Sequence, residues 1–317
     1  MSTFSAPGKL FLIGEYAVLH GGTAVVAAVD RRAVARFVPG GAPSTPLIAA
    51  AVRAVAEQAA REGLSLPPGA PEVDSASLSQ DGQKLGLGSS AAAVVASVGA
   101  LWDALGRPLD PGALLPLAVD AHRAAQGGRG SGGDVAASLF GGLIAYARAD
   151  HGEPVIRPLA AALPAQLVVF RAGEPAGTVH FLNAVERLAA REPAEHAARV
   201  QAIATAAARF VAAHEAGVAA AMIDAVAAAH EALEALGHAA DVPIVTPALQ
   251  TAAAVAKGCG GAAKGSGAGG GDVGIGLFAD LDAAEAFRAR ASRLGLQILS
   301  ITTGARGLSR DVEPGNQ

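Results

Sequence analysis

Three glycine-bearing blocks, set far apart in the chain and separated by apolar segments, constrain this sequence more than any other feature. The first is Ala6-Pro7-Gly8-Lys9, running into Gly14-Glu15-Tyr16. The second is Gly86-Leu87-Gly88-Ser89-Ser90-Ala91-Ala92, and the third runs from Lys264-Gly265-Ser266-Gly267-Ala268-Gly269 to Asp272. A single glycine-rich loop could be a linker. Three among apolar segments point to distant chain pieces gathered around one polyanion, because backbone N–H groups in glycine turns and at helix N-termini bind phosphate without side-chain charge.

Composition narrows the rest. A chain of 317 residues is long for a single core, so two domains are favoured over one. Half of it is apolar and 16% is charged, which excludes disorder as the general state. A formal net charge of −4 gives no electrostatic reason to expect nucleic acid or a membrane surface as partner. An anionic ligand must then be held by local basic residues and backbone dipoles. Cys259 stands alone, so neither an intramolecular disulfide nor a cysteine metal cluster can form. The first residues lack a basic region followed by an apolar stretch, and the alanine-rich runs at 202–208 and 217–229 are broken by polar or charged residues or fall short of a bilayer span. The expectation is a cytoplasmic protein.

Periodicity and turn residues predict strands at 8–14, 23–29 and 33–38, a helix over 46–62, and a strand over 73–78. Helices are expected at 89–105 and 111–126, followed by strands at 142–147 and 166–171. Helices at 181–190, 193–215, 217–237 and 246–257 dominate the second half, with late strands at 273–279 and 296–302 around a helix at 282–293. The composition shifts near 150–165, giving expected domains of 1–160 and 161–317.

Each block carries its own chemistry. Ser89 and Ser90 stand where helix-capping residues belong, at a positive dipole end that suits a triphosphate, and one hydroxyl could complete a Mg²⁺ shell. An ordinary serine-capped helix has the same pattern, and the Walker spacing Gly-x4-Gly-Lys-Ser/Thr is absent. The third block has nine glycines among residues 258–274. A flexible linker would share that composition, but this block runs directly into Val273-Gly274-Ile275-Gly276-Leu277, whose alternate glycines permit close backbone approach on one face. Lys9 precedes a rigid apolar run, although a lone lysine is commonly a solvated charge. Asp134, at the end of the turn Gly127–Gly133, could pair with Lys9, act as a base, or cap a helix.

Together these blocks resemble the three signature motifs of the GHMP small-molecule kinases. The similarity spans residues 6–30, 84–95, 126–146 and 243–279. It is strongest to the phosphomevalonate kinase branch, on Gly14–Val18, Lys84–Ser90, Gly130–Val135, Pro243–Pro247 and Ala263–Asp272. The resemblance implies a two-domain α+β fold, with an N-terminal domain of the ribosomal-protein-S5 type and a ferredoxin-like C-terminal domain. It also implies ATP and Mg²⁺ as cofactors, and transfer of a phosphoryl group to 5-phosphomevalonate in the mevalonate route to isoprenoids. Leu19-His20-Gly21 is closer to mevalonate kinases, so mevalonate is the alternative acceptor. Against that, Tyr16 stands where those enzymes carry His, and Arg123 where they carry a Mg²⁺-binding Glu. A nucleotide-binding regulator without catalysis is the alternative of another class, and homodimerisation is left open.

By resemblance, Lys9 and Asp134 are the catalytic pair, while Gly86, Leu87, Gly88, Ser89, Ser90 and Ala91 cradle the ATP phosphates, with Ser90 on Mg²⁺. Tyr16, His20, Arg129, Ser131, Lys264, Ser266, Gly267, Ala268 and Gly269 are the substrate-side candidates. A phosphorylated acceptor demands extra cations, for which Lys84, Arg148 and His180 are further candidates. The segment Gly173–Thr178 resembles an acceptor-side loop of the family.

Overall fold

The structure, a computed structural model, describes residues 2–80, 82–148, 153–173 and 178–311. In chain order it runs β1 (Thr3–Ile13), a 3-10 turn (Ala17–His20), β2 (Thr23–Pro39), α1 (Pro46–Arg61), β3 (Gly69–Asp74) and a second 3-10 turn (Ala76–Leu78). Two short strands follow, β4 (Ser79–Gln80) and β5 (Gln83–Lys84), then α2 (Ser89–Ala104), α3 (Pro111–Ala125) and α4 (Gly133–Phe140). Next come β6 (Leu143–Ala147), β7 (Val155–Leu159), β8 (Gln166–Arg171), α5 (Thr178–Arg191), α6 (Pro193–Glu215), α7 (Ala219–Ala239) and α8 (Pro247–Lys257). The chain closes with β9 (Ala262–Ser266), β10 (Val273–Phe278), α9 (Leu281–Arg293), β11 (Gln297–Leu299) and β12 (Ser309–Asp311). Among the described residues no helix is long and apolar enough to cross a membrane.

The chain divides into two compact units, and neither is one continuous segment. Unit 1 comprises Met1–Leu10, Ala27–Gly142 and Thr302–Gln317, and unit 2 comprises Phe11–Val26 and Leu143–Ile301. A single cut at 160 therefore does not describe how the chain is divided. Strands β1 and β2 each contribute to both units, and the C-terminal segment returns to unit 1.

In unit 1, β12 lies antiparallel on β1 with Thr3 opposite Asp311, and β3 lies antiparallel on β2 from Val34 opposite Asp74 to Pro39 opposite Gly69. The two strands expected at 23–29 and 33–38 are one. The polar run Asp30-Arg31-Arg32 reads as a break, yet the Arg32 guanidinium donates to the carbonyls of Ser5 (2.8 Å), Arg306 (2.7 Å) and Gly307 (2.8 Å). Those acceptors keep a charged residue inside a continuous strand. Helix α2 is buried almost all round, which its alanine and valine content permits, and packs among α1, α3 and α4. Helices α1 and α3 start as their sequences indicate, with Thr45 and Asp110 capping and proline in the first turn.

Unit 2 carries an antiparallel sheet in the order β11-β8-β10-β9, the ferredoxin-like part of the fold. Its α8/α9 side is built on Val168, Phe170, Leu249, Phe278 and Phe287. The alternate glycines of β10 make room for this core: a Cβ on Gly274 would lie 2.4 Å from Phe170 Cζ, and one on Gly276 2.9 Å from Phe278 Cε2. The close approach expected of that strand is made by aromatic rings. A second cluster joins α5, α6 and α7 to Tyr16, Ala17 and Ile244.

Candidate functional site

In unit 1 the first and second glycine blocks meet. The Lys9 N–H donates to the Leu87 carbonyl at 2.7 Å, and Lys9 Nζ donates to the Gly86 carbonyl at 3.5 Å. The lysine stem lies so close over Gly88 that a Cβ there would sit 2.7 Å from Lys9 Cγ and 2.8 Å from Cε. Gly88 also has φ +76°, a left-handed conformation that favours glycine, and it forms the N-cap of α2 without a side-chain hydrogen bond. This corrects the expected capping role of the serines. Ser89, Ser90 and Ala91 are the first three helical residues, whose N–H groups have no intrahelical partner and supply a positive helix end.

Asp134 is the second residue of α4, behind Gly132 as N-cap with φ 88°. Its Oδ1 accepts from the Val135 N–H at 2.9 Å, and its side chain stays partly exposed. Its Oδ2 lies 3.7 Å from Nδ1 of His122, a buried residue of α3. The other ring nitrogen of His122, Nε2, is 3.0 Å from Ser90 Oγ and 3.1 Å from Gln126 Nε2. The sequence reading missed His122 and Gln126. Their one-turn spacing puts them on one helix face, but nothing local marks the long-range partners Ser90 and Asp134.

Arg123 braces the glycine turn before α4, donating from Nε to the Gly130 carbonyl and from Nη2 to the Ser131 carbonyl, both at 3.2 Å. Ser131 Oγ accepts from the Gly133 N–H at 3.2 Å, and Arg129 lies partly exposed in the same turn. Lys84 is exposed on β5 and Arg148 is exposed after β6.

In unit 2 two of the substrate-side candidates, Lys264 and Tyr16, are buried. Lys264 is fully buried and is no free cation: its ammonium donates to Glu15 Oε1 at 2.5 Å and to the Gly265 carbonyl at 2.6 Å. Burial lowers its pKa, and the Glu15 carboxylate opposes that shift. Tyr16 is also buried, with positive φ, and its hydroxyl donates to the Ala268 carbonyl. Burial raises its pKa, helped by the adjacent Glu15 charge. Glu15 Oε1 further accepts from the Gly267 N–H at 3.3 Å. Glu15 and Tyr16 thus grip the third block from β9 to Ala268.

The third block is also more ordered than a loop, since Ala262–Ser266 pair with β10 and the turn proper begins at Gly267. A Cβ on Gly267 would meet no atom within 4 Å, whereas one on Gly269 would lie 2.7 Å from the Ile244 carbonyl oxygen. The open side of the turn is therefore at Gly267. His20 is exposed and meets the ring of His196 edge-on, centroids 4.8 Å apart, and His180 meets Phe181 in the same way at 5.5 Å. Burial, and then His20, lower the His196 pKa. Of the segment Gly173–Thr178, residues 174–177 lie outside the described residues.

Among the described residues no group of three or more His, Cys, Asp or Glu could cage a metal ion. Ser90 Oγ and the Asp134 carboxylate are hard oxygen donors. A sparse set of that kind suits Mg²⁺, which keeps several waters and commonly takes one or two protein carboxylates together with substrate phosphates.

Comparison with known proteins gives a consistent picture. The family model for the GHMP kinases N terminal domain matches residues 46–142, and that for the GHMP kinases C terminal domain matches residues 225–295. Phosphomevalonate kinase of Streptomyces sp. (strain CL190) is 31% identical, across 96% of this chain and 97% of that protein. The crystal structure of a Lin0012 protein from Listeria innocua superposes with a TM-score of 0.90 at 26% identity, covering 98% of this chain and 99% of that one. Streptococcus pneumoniae phosphomevalonate kinase, in complex with phosphomevalonate and AMPPNP, superposes with a TM-score of 0.83 at 24% identity, over 96% of this chain and all of that one.

Proposed function

This chain belongs to the GHMP kinases, and we propose that it transfers the γ-phosphoryl group of ATP to the phosphate of 5-phosphomevalonate, giving 5-diphosphomevalonate and ADP. The observation that carries the reading is the end-to-end similarity to a phosphomevalonate kinase. The meeting of Lys9 with the Gly86–Gly88 turn at the head of α2 supports it.

Phosphoryl transfer asks the protein mainly for positioning and charge neutralisation. The N–H groups of Ser89, Ser90 and Ala91 receive the nucleotide phosphates at the positive end of α2. Lys9, held across Gly88, neutralises charge on the transferring group. Ser90 Oγ and Asp134 would hold Mg²⁺, which when bound neutralises charge on the β- and γ-phosphates. The acceptor is a phosphate monoester with a second pKa of about 6, so it already offers an anionic oxygen at neutral pH. Asp134 is therefore assigned to orienting Lys9 and has no proton to abstract. Arg129, Ser131 and the turn Ser266–Gly269 are assigned to the acceptor. Within that turn Gly267 is the open position, while Lys264 and Tyr16 act only by holding it.

The test is ADP release from Mg-ATP with 5-phosphomevalonate and mevalonate as separate acceptors. Turnover with 5-phosphomevalonate alone is expected. Turnover with mevalonate alone would overturn the substrate and recast Asp134 as a general base. Release with neither would remove the proposed reaction.

A further inference from the structure

We propose that Arg171 binds an anionic group of the acceptor, taking its two oxygens on the Nε–Nη2 edge of the guanidinium. The inference deepens the proposed reaction and rests on the assignment of the third-block turn to the acceptor. Strand β8 sends Val168, Phe170 and Ala172 into the core on the α8/α9 side, so alternation puts Leu167, Val169 and Arg171 on the other face of the sheet. On that face Arg171 stands opposite Val273 of β10 and Gln297 of β11, and Val273 stands opposite Ser266 of β9. Directly opposed residues share a face, so Ser266, Val273, Arg171 and Gln297 form one row across the sheet. Next to this row the Ala172 N–H donates to the Asp272 carbonyl at 3.2 Å, where the turn that begins at Gly267 rejoins β10. Arg171 therefore lies at the root of that turn.

Its guanidinium differs from those of the other partly buried arginines. Arg32 and Arg123 direct theirs at backbone carbonyls. Arg171 Nε and Nη2 are shut off from water, and among the described residues neither has an acceptor. Lys264, on the same face, is already paired with Glu15. Charged donors left unmet in this way are unfavourable, so packing alone gives no reason for an arginine here. The N–H bonds of Nε and Nη2 leave one edge of the planar group in parallel, which matches the two oxygens of a carboxylate or a phosphate. Arg36 shows that edge in use, donating from both Nε and Nη2 to the Glu72 carboxylate. The nucleotide phosphates are assigned to the head of α2, so the anion at Arg171 is the acceptor's own, its carboxylate or its phosphate.

The experiment is isothermal titration calorimetry of the full chain, Arg171→Met and Arg171→Lys with 5-phosphomevalonate, mevalonate and AMPPNP, beside thermal unfolding of all three proteins. Hydrogen bonds to a charged group are typically worth a factor of about 10–100 in affinity. Arg171→Met is expected to bind 5-phosphomevalonate about 10–100-fold more weakly and AMPPNP within about 3-fold of the parent. Arg171→Lys keeps the charge but not the two-pronged edge, and should lie between them. Neither variant should unfold at a lower temperature, since no hydrogen bond is lost. Weakening shared equally by mevalonate, which has the carboxylate and no phosphate, assigns the carboxylate. Weakening confined to 5-phosphomevalonate assigns the phosphate. Parent-like acceptor binding in Arg171→Met, a loss that falls on AMPPNP instead, or parent-like binding in Arg171→Lys would overturn the inference. So would weaker binding that comes with a lowered melting temperature in both variants, which marks a structural arginine. If the parent binds neither acid, the acceptor assignment falls and the inference with it. If the parent turns over 5-phosphomevalonate and Arg171→Met binds it equally well, the reaction stands and only the inference falls.

Discussion

Replacing Lys264 by methionine tests the reading of unit 2 most directly. The ammonium is fully buried, and its partner Glu15 has a side chain 3% exposed. Once the ammonium is gone, Glu15 Oε1 keeps only the Gly267 N–H at 3.3 Å, and Oε2 has no hydrogen-bond partner. A buried carboxylate would be left without its countercharge, which typically costs about 3–5 kcal/mol. For a unit of this size 1 kcal/mol moves the melting temperature by about 2–4 °C, so a fall of roughly 10 °C is expected. Thermal unfolding of Lys264→Met, Glu15→Gln and the double variant, followed by circular dichroism, measures it. Each single variant should lose most of that amount. The double variant should recover a large part, because it buries two neutral groups in place of an unpaired charge. A fall of less than about 2 °C in Lys264→Met, near the effect of an ordinary surface substitution, would refute the buried pair. It would restore Lys264 as a free cation for the acceptor. Strict additivity of the two single losses would refute the coupling.

Three further outcomes are expected. Gly88→Ala places a methyl group against the Lys9 stem and costs about 1–2 kcal/mol in a left-handed conformation; kcat/KM should fall at least about 10-fold while thermal unfolding shows only the backbone cost. Asp134→Asn should cost less on a phosphate acceptor than the ~10²–10⁴-fold typical of a lost general base, and a full loss of 10⁴ in steady-state kinetics with 5-phosphomevalonate would contradict the orienting role. His230 has a lowered pKa, chiefly from burial, against the opposing charge of Glu234. The folded chain then binds fewer protons than the unfolded one below the ordinary histidine pKa of about 6.5, so stability should fall as pH drops through that value. Melting curves between pH 7.5 and 5 (about the range over which histidine titrates) should show a shallower fall in His230→Gln.

The sequence was most legible where chemistry is carried by backbone. Glycine turns, the proline and Thr45 or Asp110 starts of α1 and α3, and the alanine-rich α2 are local signals, and the helices lie close to their expected spans. Pairing was far less legible. The break expected near Asp30–Arg32 does not exist, because the acceptors that keep Arg32 in its strand come from residues near 306, far along the chain. The C-terminal strand β12 is equally invisible, since its three residues become a strand only by pairing with β1. Lys264 misleads for the same reason. A lysine in a glycine block reads as a phosphate ligand until Glu15, a remote residue, is found to claim it. His122 shows the converse case. An isolated histidine in an apolar helix has no local meaning, and its neighbours Ser90 and Asp134 come from other helices.

The two halves of the first block make contacts of different kinds. Lys9 lies within β1 and reaches the Gly86–Gly88 turn, while Glu15 and Tyr16, just past the end of that strand, hold residues 264–268 of the third block. One short stretch of chain therefore serves both other blocks, each through a different kind of bond. Toward the second block the contact is steric and backbone-based, and only a glycine at 88 admits the lysine stem. Toward the third it is an ion pair and a phenol, both buried where water cannot compete. This division suits a chain of net charge −4 that must handle highly anionic ligands. On the proposed reading fixed dipoles and Lys9 meet the phosphates, while Lys264 is engaged by Glu15. A free cation at 264 would add Coulomb attraction for any anion. A buried one adds none, and instead ties β9 to Glu15 just before the turn that begins at Gly267.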